Sequence, residues 1–111
     1  MANTFNNAQL ELTTSTQTLY QASTATGAVS IVLSVLVANI DGTNSAAVTV
    51  QKTDSADTDQ SYIAWTIPVP ADSALELIPN KLVLKAGEKL RGLASAAGDL
   101  DVTISVLEIT P

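Results

Sequence analysis

The chain has 111 residues, enough for one domain, and 46% of them are hydrophobic, which suits a packed core and excludes wholesale disorder. Five basic residues stand against eleven acidic ones, for a net charge of −6, so binding to nucleic acid through release of counterions is excluded. With no Cys and no His, the chain has no disulfide, no thiolate nucleophile, and neither the commonest general base nor the commonest transition-metal ligand.

The first residues carry no basic stretch and no apolar run, so no secretory signal is expected. Leu10 and Leu12 flank Glu11 in a short alternating strand that runs into Thr13, Thr14, Ser15 and Thr16. A second short strand covers 18–21, and 22–27 reads as a loop of small residues. From Val29 the alternation is long: Val29, Ile31, Leu33, Val35 and Val37 fall on one face, Ser30, Val32, Ser34, Leu36 and Ala38 on the other. Both faces are partly apolar, which predicts a central strand covered on both sides. This segment is the most apolar of the chain and is too short to span a bilayer, so no membrane partner is expected.

Asp41-Gly42 predicts a turn, on the ground that Gly accepts a positive φ. A return strand follows over 46–53, then a polar loop over 54–60. In the strand over 62–69, Ile63, Trp65, Ile67 and Val69 share a face, which places Trp65 in the core, while Pro68 and Pro70 mark an edge or a bulge. Short strands around Leu75–Leu77 and Leu82–Leu84, a tight turn at Ala86-Gly87-Glu88, a return over 90–94 and a final alternation of Val102, Ile104 and Val106 complete the pattern. No window carries helical spacing. About eight short strands at ten-residue intervals predict an all-β, single-domain β-sandwich or jelly-roll-like barrel over 10–111, preceded by an N-terminal arm over 1–9.

Charge is uneven. Glu11 and Asp41 are the only charged side chains from Met1 to Val50, whereas Lys81, Lys85, Lys89 and Arg91 crowd one short stretch. The N-terminal half is either an ordinary Thr/Ser-covered strand surface or a face packed against other copies, since interface cores are depleted of charge. The basic stretch reads as a docking stripe for an acidic partner or as charges that keep exposed strands soluble.

Residue types that could carry chemistry are sparse. Asp54, Asp57 and Asp59 form a carboxylate-rich loop of the kind that supplies oxygen ligands to calcium, but it lacks the bend glycine and terminal Glu of an EF-hand. Local turn hydrogen bonds explain the same residues. Asp99 and Asp101 read as turn residues. A two-carboxylate glycosidase would need aromatic platforms, and Phe5, Tyr20, Tyr62 and Trp65 are the only aromatics. No enzyme and no cofactor is expected. Phe5, isolated among Asn residues, suits either a frayed terminus or an arm reaching a neighbouring subunit.

The stretch from Val37 to Ser45, the alternation Val48-Thr49-Val50, the segment from Thr66 to Ser73 and the turn from Leu84 to Leu90 resemble small β-rich virion structural proteins of tailed bacteriophages. The resemblance runs from about Leu10 to Ile109 and implies a role in the virion, as capsid decoration (cement) or as part of the tail, fibre or connector. The expected partners are the major capsid protein or other virion proteins and further copies, as a dimer or trimer. Contact is expected at Phe5 and along a Thr-rich strand bearing Thr13, Thr14, Thr16 and Thr18. A calcium-dependent carbohydrate-binding module is the reading from another class.

Overall fold

The computed structural model describes residues 2–58 and 60–111, which form nine strands and no helix among the described residues. In chain order they are β1 (Ala2–Glu11), β2 (Gln17–Gln21), β3 (Val29–Asn39), β4 (Ala46–Thr53), β5 (Gln60–Val69), β6 (Ala74–Glu76), β7 (Leu82–Lys85), β8 (Lys89–Ala94) and β9 (Leu100–Thr110). All pairings are antiparallel, in two sheets that pack as a sandwich. The first sheet has the order β1-β9-β3, with the far edge of β3 shared between β7 and β6. The second has the order β2-β8-β4-β5.

The core is aliphatic. Val32, Val35, Val37, Leu84, Val102, Ile104 and Val106 from the first sheet meet Val48, Val50, Val69 and Leu90 from the second, all essentially inaccessible to solvent. Each such side chain contributes roughly 1.5–3 kcal/mol by leaving water, and β-branched residues suit the pleated faces they occupy.

On β3 the expected alternation breaks at Leu33. The register with β9 shifts between Val32 and Ser34, so Ser30 and Val32 face inward before the bulge and Val35 and Val37 after it. Val29, Ile31 and Leu33 therefore do not share the inner face with Val35 and Val37. The partner of β3 also changes here, from β7 opposite Val29–Val32 to β6 opposite Leu36–Ala38. Glu76 fills the gap. Its carboxylate accepts from the Ser34 hydroxyl, from Val35 N–H at 2.8 Å and from Ile78 N–H at 3.0 Å. Burial pushes the Glu76 carboxyl up, but the bonds from Ser34, Ile78 and Val35 outweigh it and hold it below the usual glutamate range.

On β5 two register shifts, between Val48 and Val50 and between Val50 and Gln51 of β4, invert the expected pattern. Ala64 is buried in place of Trp65, which is 60% exposed. Thr66 takes a φ of +47°, and its N–H donates to Thr49 Oγ1 at 3.1 Å. A β-branched residue in that region is strained. Thr66→Gly is therefore expected to raise stability by about 0.5–1 kcal/mol, strain relief exceeding the extra entropy glycine loses on folding. Thermal denaturation checks this, and an unchanged or lowered melting temperature would show that the position carries no strain.

Residues 2–9, expected as an arm, lie in an edge strand instead. β1 pairs with β9 without a bulge from Ala2↔Thr110 to Glu11↔Asp101. The turn at Asp41-Gly42 also has a different basis from the expected one. Gly42 is not among the positive-φ residues; the Asp41 carboxylate accepts from Thr43 N–H at 2.8 Å and Asn44 N–H at 3.2 Å. Those bonds, Thr43 first, hold its carboxyl below the usual range. Gly87, with φ +79°, does supply the left-handed residue of the β7–β8 turn.

Polar links cross the sandwich at two places: Asn39 Nδ2 on β3 donates to Val69 O on β5 at 2.9 Å, and Tyr20 forms the other. The Tyr20 hydroxyl on β2 donates to Glu108 Oε2 on β9 at 2.6 Å and lies 2.8 Å from Ser30 Oγ on β3. Asn6 Nδ2 on β1 reaches Glu108 Oε1 at 3.4 Å.

Candidate interaction surfaces

Cross-strand register assembles an apolar row on the outer face of the first sheet. Phe5 is opposite Leu107, Leu107 is opposite Ile31, and Ile31 is opposite Val83, so one line crosses β1, β9, β3 and β7. Phe5 is 76% exposed and Val83 is 52% exposed, with Leu107 and Ile31 half-buried between them. The neighbouring line, Asn3, Ile109, Val29 and Lys85, brings the first charge. At the far end of β1 and β9, Glu11 and Asp101 are directly opposed and line a depression with Gln9, Leu10, Val102 and Thr103. The row from Phe5 to Val83 carries no charge, in a chain of −6, and the Glu76 carboxylate borders it at Ser34 on the other side.

Of the residues expected to make contacts, Phe5 alone lies on that row. Thr13, Thr14 and Thr16 are not in a strand. They form the β1–β2 loop, where Thr13 Oγ1 both donates to Ser15 O and accepts from Ser15 N–H, each at 3.2 Å. Thr18 is on β2, opposite Arg91, in the other sheet. Phe5 and the Thr loop are separated by the rest of β1, roughly 20 Å of extended chain, so they belong to different parts of the surface. Leu107, Ile31 and Val83 were not singled out from the sequence. The uninterrupted run Leu82-Val83-Leu84 held the signal, because a strand that short must turn one of the three outward.

The outer face of the second sheet carries a different surface. Thr18, Arg91, Gln51 and Tyr62 line up across β2, β8, β4 and β5. The Tyr62 and Trp65 rings meet edge to face with centroids 4.5 Å apart. Gln51 Oε1 and Arg91 Nε, on directly opposed residues, are a buried acceptor and a buried donor without a hydrogen bond. Both atoms are closed off from solvent, and Arg91 Nε lies 3.8 Å from Asp57 Oδ1.

The acidic loop and the basic stretch meet each other. Asp57 Oδ1 is 3.2 Å from Lys89 Nζ and 3.8 Å from Arg91 Nε, and Lys52 Nζ is 3.0 Å from Glu88 Oε2. The hydrogen bond from Lys89, first among several contacts, holds the Asp57 carboxyl below its usual range. The Asp54 carboxylate accepts from Ala56 N–H, Thr58 N–H and the Thr58 hydroxyl at 2.8–3.0 Å. Asp54 and Asp57 thus turn to different partners, and Asp59 lies outside the described residues. The aromatic pair on β5 and the Glu11–Asp101 pair stand on opposite sheets, so no sugar platform flanks that carboxylate pair.

No protein-family model and no curated sequence matches the chain. Similar folds do occur among solved structures. One is a chain of the Bacillus endospore appendages, described as disulfide-linked pili, with a TM-score of 0.57 at 12% identity, covering 99% of this chain and 88% of that one. Another is from the acidic stable capsid of Helicobacter pylori bacteriophage KHP30, with a TM-score of 0.59 at 9% identity, covering 100% of this chain and 90% of that one. At such identities the likeness is one of fold.

Proposed function

We propose that the chain is a non-enzymatic structural component of a virion, acting as a capsid decoration (cement) protein on the outer surface of a bacteriophage head. The observation that carries this reading is the uncharged apolar row from Phe5 to Val83, open on an otherwise acidic sandwich. Its partner on the shell is the major capsid protein, with Phe5 as the anchor and Thr13, Thr14, Thr16 and Thr18 as polar contacts at other parts of the surface. Sandwiches of this shape in a phage capsid and in spore pili support the use of the fold in repeating assemblies. A subunit that binds the assembled shell and not its free parts stabilises the shell by mass action, and weak contacts repeated over the shell add through avidity.

Co-sedimentation with intact phage heads tests the contact. Phe5→Ser is expected to reduce the bound fraction at least tenfold while leaving the melting temperature unchanged, because Phe5 contributes little to the core. Equal binding by the variant would remove Phe5 from the contact, and failure of both proteins to bind heads would remove the decoration role. A tail, fibre or connector component shares the same surface properties. The calcium-dependent carbohydrate reading is less favoured, because the Asp54 and Asp57 carboxylates are engaged elsewhere.

A further inference from the structure

A two-sheet sandwich has four edges, and three of these are blunted. β5 carries two register shifts and Pro68, β2 is five residues long with a shift between Thr18 and Tyr20, and the β6/β7 edge is split into strands of three and four residues. Short strands, bulges and proline are the devices that keep sheet edges from pairing with other chains. The fourth edge, β1, has none of them. It is ten residues long and bulge-free, without Pro or Lys, and Glu11 at its end is its only charge.

Residues 2–7 of β1 are also exposed throughout, so both faces and the outer edge of that stretch are uncovered. Ordering a residue costs roughly 1–2 kcal/mol of backbone entropy. A stretch held by one ladder with almost no side-chain burial does little to offset that cost.

We propose that the edge of β1 is covered by β1 of a second copy, antiparallel, about a two-fold axis normal to the sheet. With Phe5 beside its counterpart, Asn3 of one copy faces Asn7 of the other, and the two Glu11 residues lie at opposite ends of the interface. No like charges meet, which matters for two chains of −6 each. The two first sheets merge into one, and the apolar rows join end to end from Val83 through both Phe5 side chains to the partner's Val83. That stripe is eight strands wide, about 34 Å. Edge pairing stands by itself; use of the stripe to grip a shell rests on the virion reading.

Three measurements on the isolated full chain test the pairing. Sedimentation velocity is expected to give a dimer. The double substitution Asn3→Lys and Asn7→Lys sets Lys against Lys twice and is expected to give a monomer that still unfolds cooperatively, with a melting temperature that no longer depends on protein concentration, although it lowers the net repulsion between copies. Because the chain has no Cys, Phe5→Cys is a clean probe. Directly opposed strand residues lie within disulfide reach, so the variant is expected to oxidise to a covalent dimer, while Val83→Cys does not. A wild-type monomer, a dimer that persists in the Lys variant, or equal cross-linking at both positions would overturn the pairing. Any of these leaves the head-binding assay free to stand or fall by itself.

Discussion

Replacing Gly92 by Ala is expected to destabilise the fold by about 3 kcal/mol, because the added Cβ overpacks a site with no room. Gly92 sits mid-strand on β8, opposite Val50 of β4 on one side and Gln17 of β2 on the other. A Cβ built there meets the Thr49 backbone oxygen at 2.8 Å, Leu19 Cδ1 at 3.1 Å and Val50 Cγ2 at 3.3 Å. Side chains can rotate away, but a carbonyl in the ladder cannot, so β4 and β8 must separate. For a domain of this size the loss lowers the melting temperature by about 12 °C. Gly42→Ala is the control, since its Cβ meets only the Asp72 carboxylate at ordinary contact distances of 3.6–3.8 Å. It is expected to stay within about 0.5 kcal/mol of the parent. Thermal denaturation of the two variants side by side decides the matter, and equal melting would contradict the close approach of β4 to β8.

The second large effect concerns alkaline pH. Burial, then the hydrogen bond to Glu108, pushes the Tyr20 hydroxyl up to about 12 from its ordinary 10.0. The folded chain therefore favours the protonated phenol. Its contribution is complete below pH 10 and is lost as pH rises through the window to 12, a total of roughly 2–3 kcal/mol. Tyr20→Phe lacks this titration. At neutral pH the variant is expected to lose about 1–3 kcal/mol, because Ser30 and Glu108 are left without the phenol. Between pH 9.5 and 11.5 its stability should then fall less steeply than that of the parent, so the two curves converge. Parallel curves measured by urea denaturation across that range would show that the Tyr20 link does not form.

Much of the fold is legible in the sequence because alternation is a faithful signal where strands are regular. β4, β8 and β9 carry Val48 and Val50, Leu90, and Val102, Ile104 and Val106 inward with the expected period. The signal fails where one residue is inserted. At Leu33 and again around Ile63 and Thr66 the bulges reverse the phase; nothing in local composition marks the first, and Pro68 and Pro70 mark β5 as an edge or bulged strand without fixing where its phase turns. Trp65 is accordingly placed on the surface, held outward by a backbone conformation that hydrophobicity does not encode. The alternation at Leu10 and Glu11 marks only the end of β1, and the rest of it is hidden for the opposite reason. Its N-terminal residues are polar on both faces and bury nothing, so only the ladder with β9 identifies them as a strand. The apolar row is legible in part, through Phe5 and the two-sided apolar character of β3; its assembly depends on registers between strands far apart in the chain. Glu76, read as part of a short strand, gains its role only from the gap left where β6 and β7 divide the edge of β3.

The central claim is a place on the phage head. Gold-labelled antibody against the chain, viewed on intact virions by electron microscopy, tests it most directly. Decoration predicts label distributed over the head, lost in parallel with head stability when the protein is stripped. Label confined to the tail or its tip, or virions free of label, would contradict it.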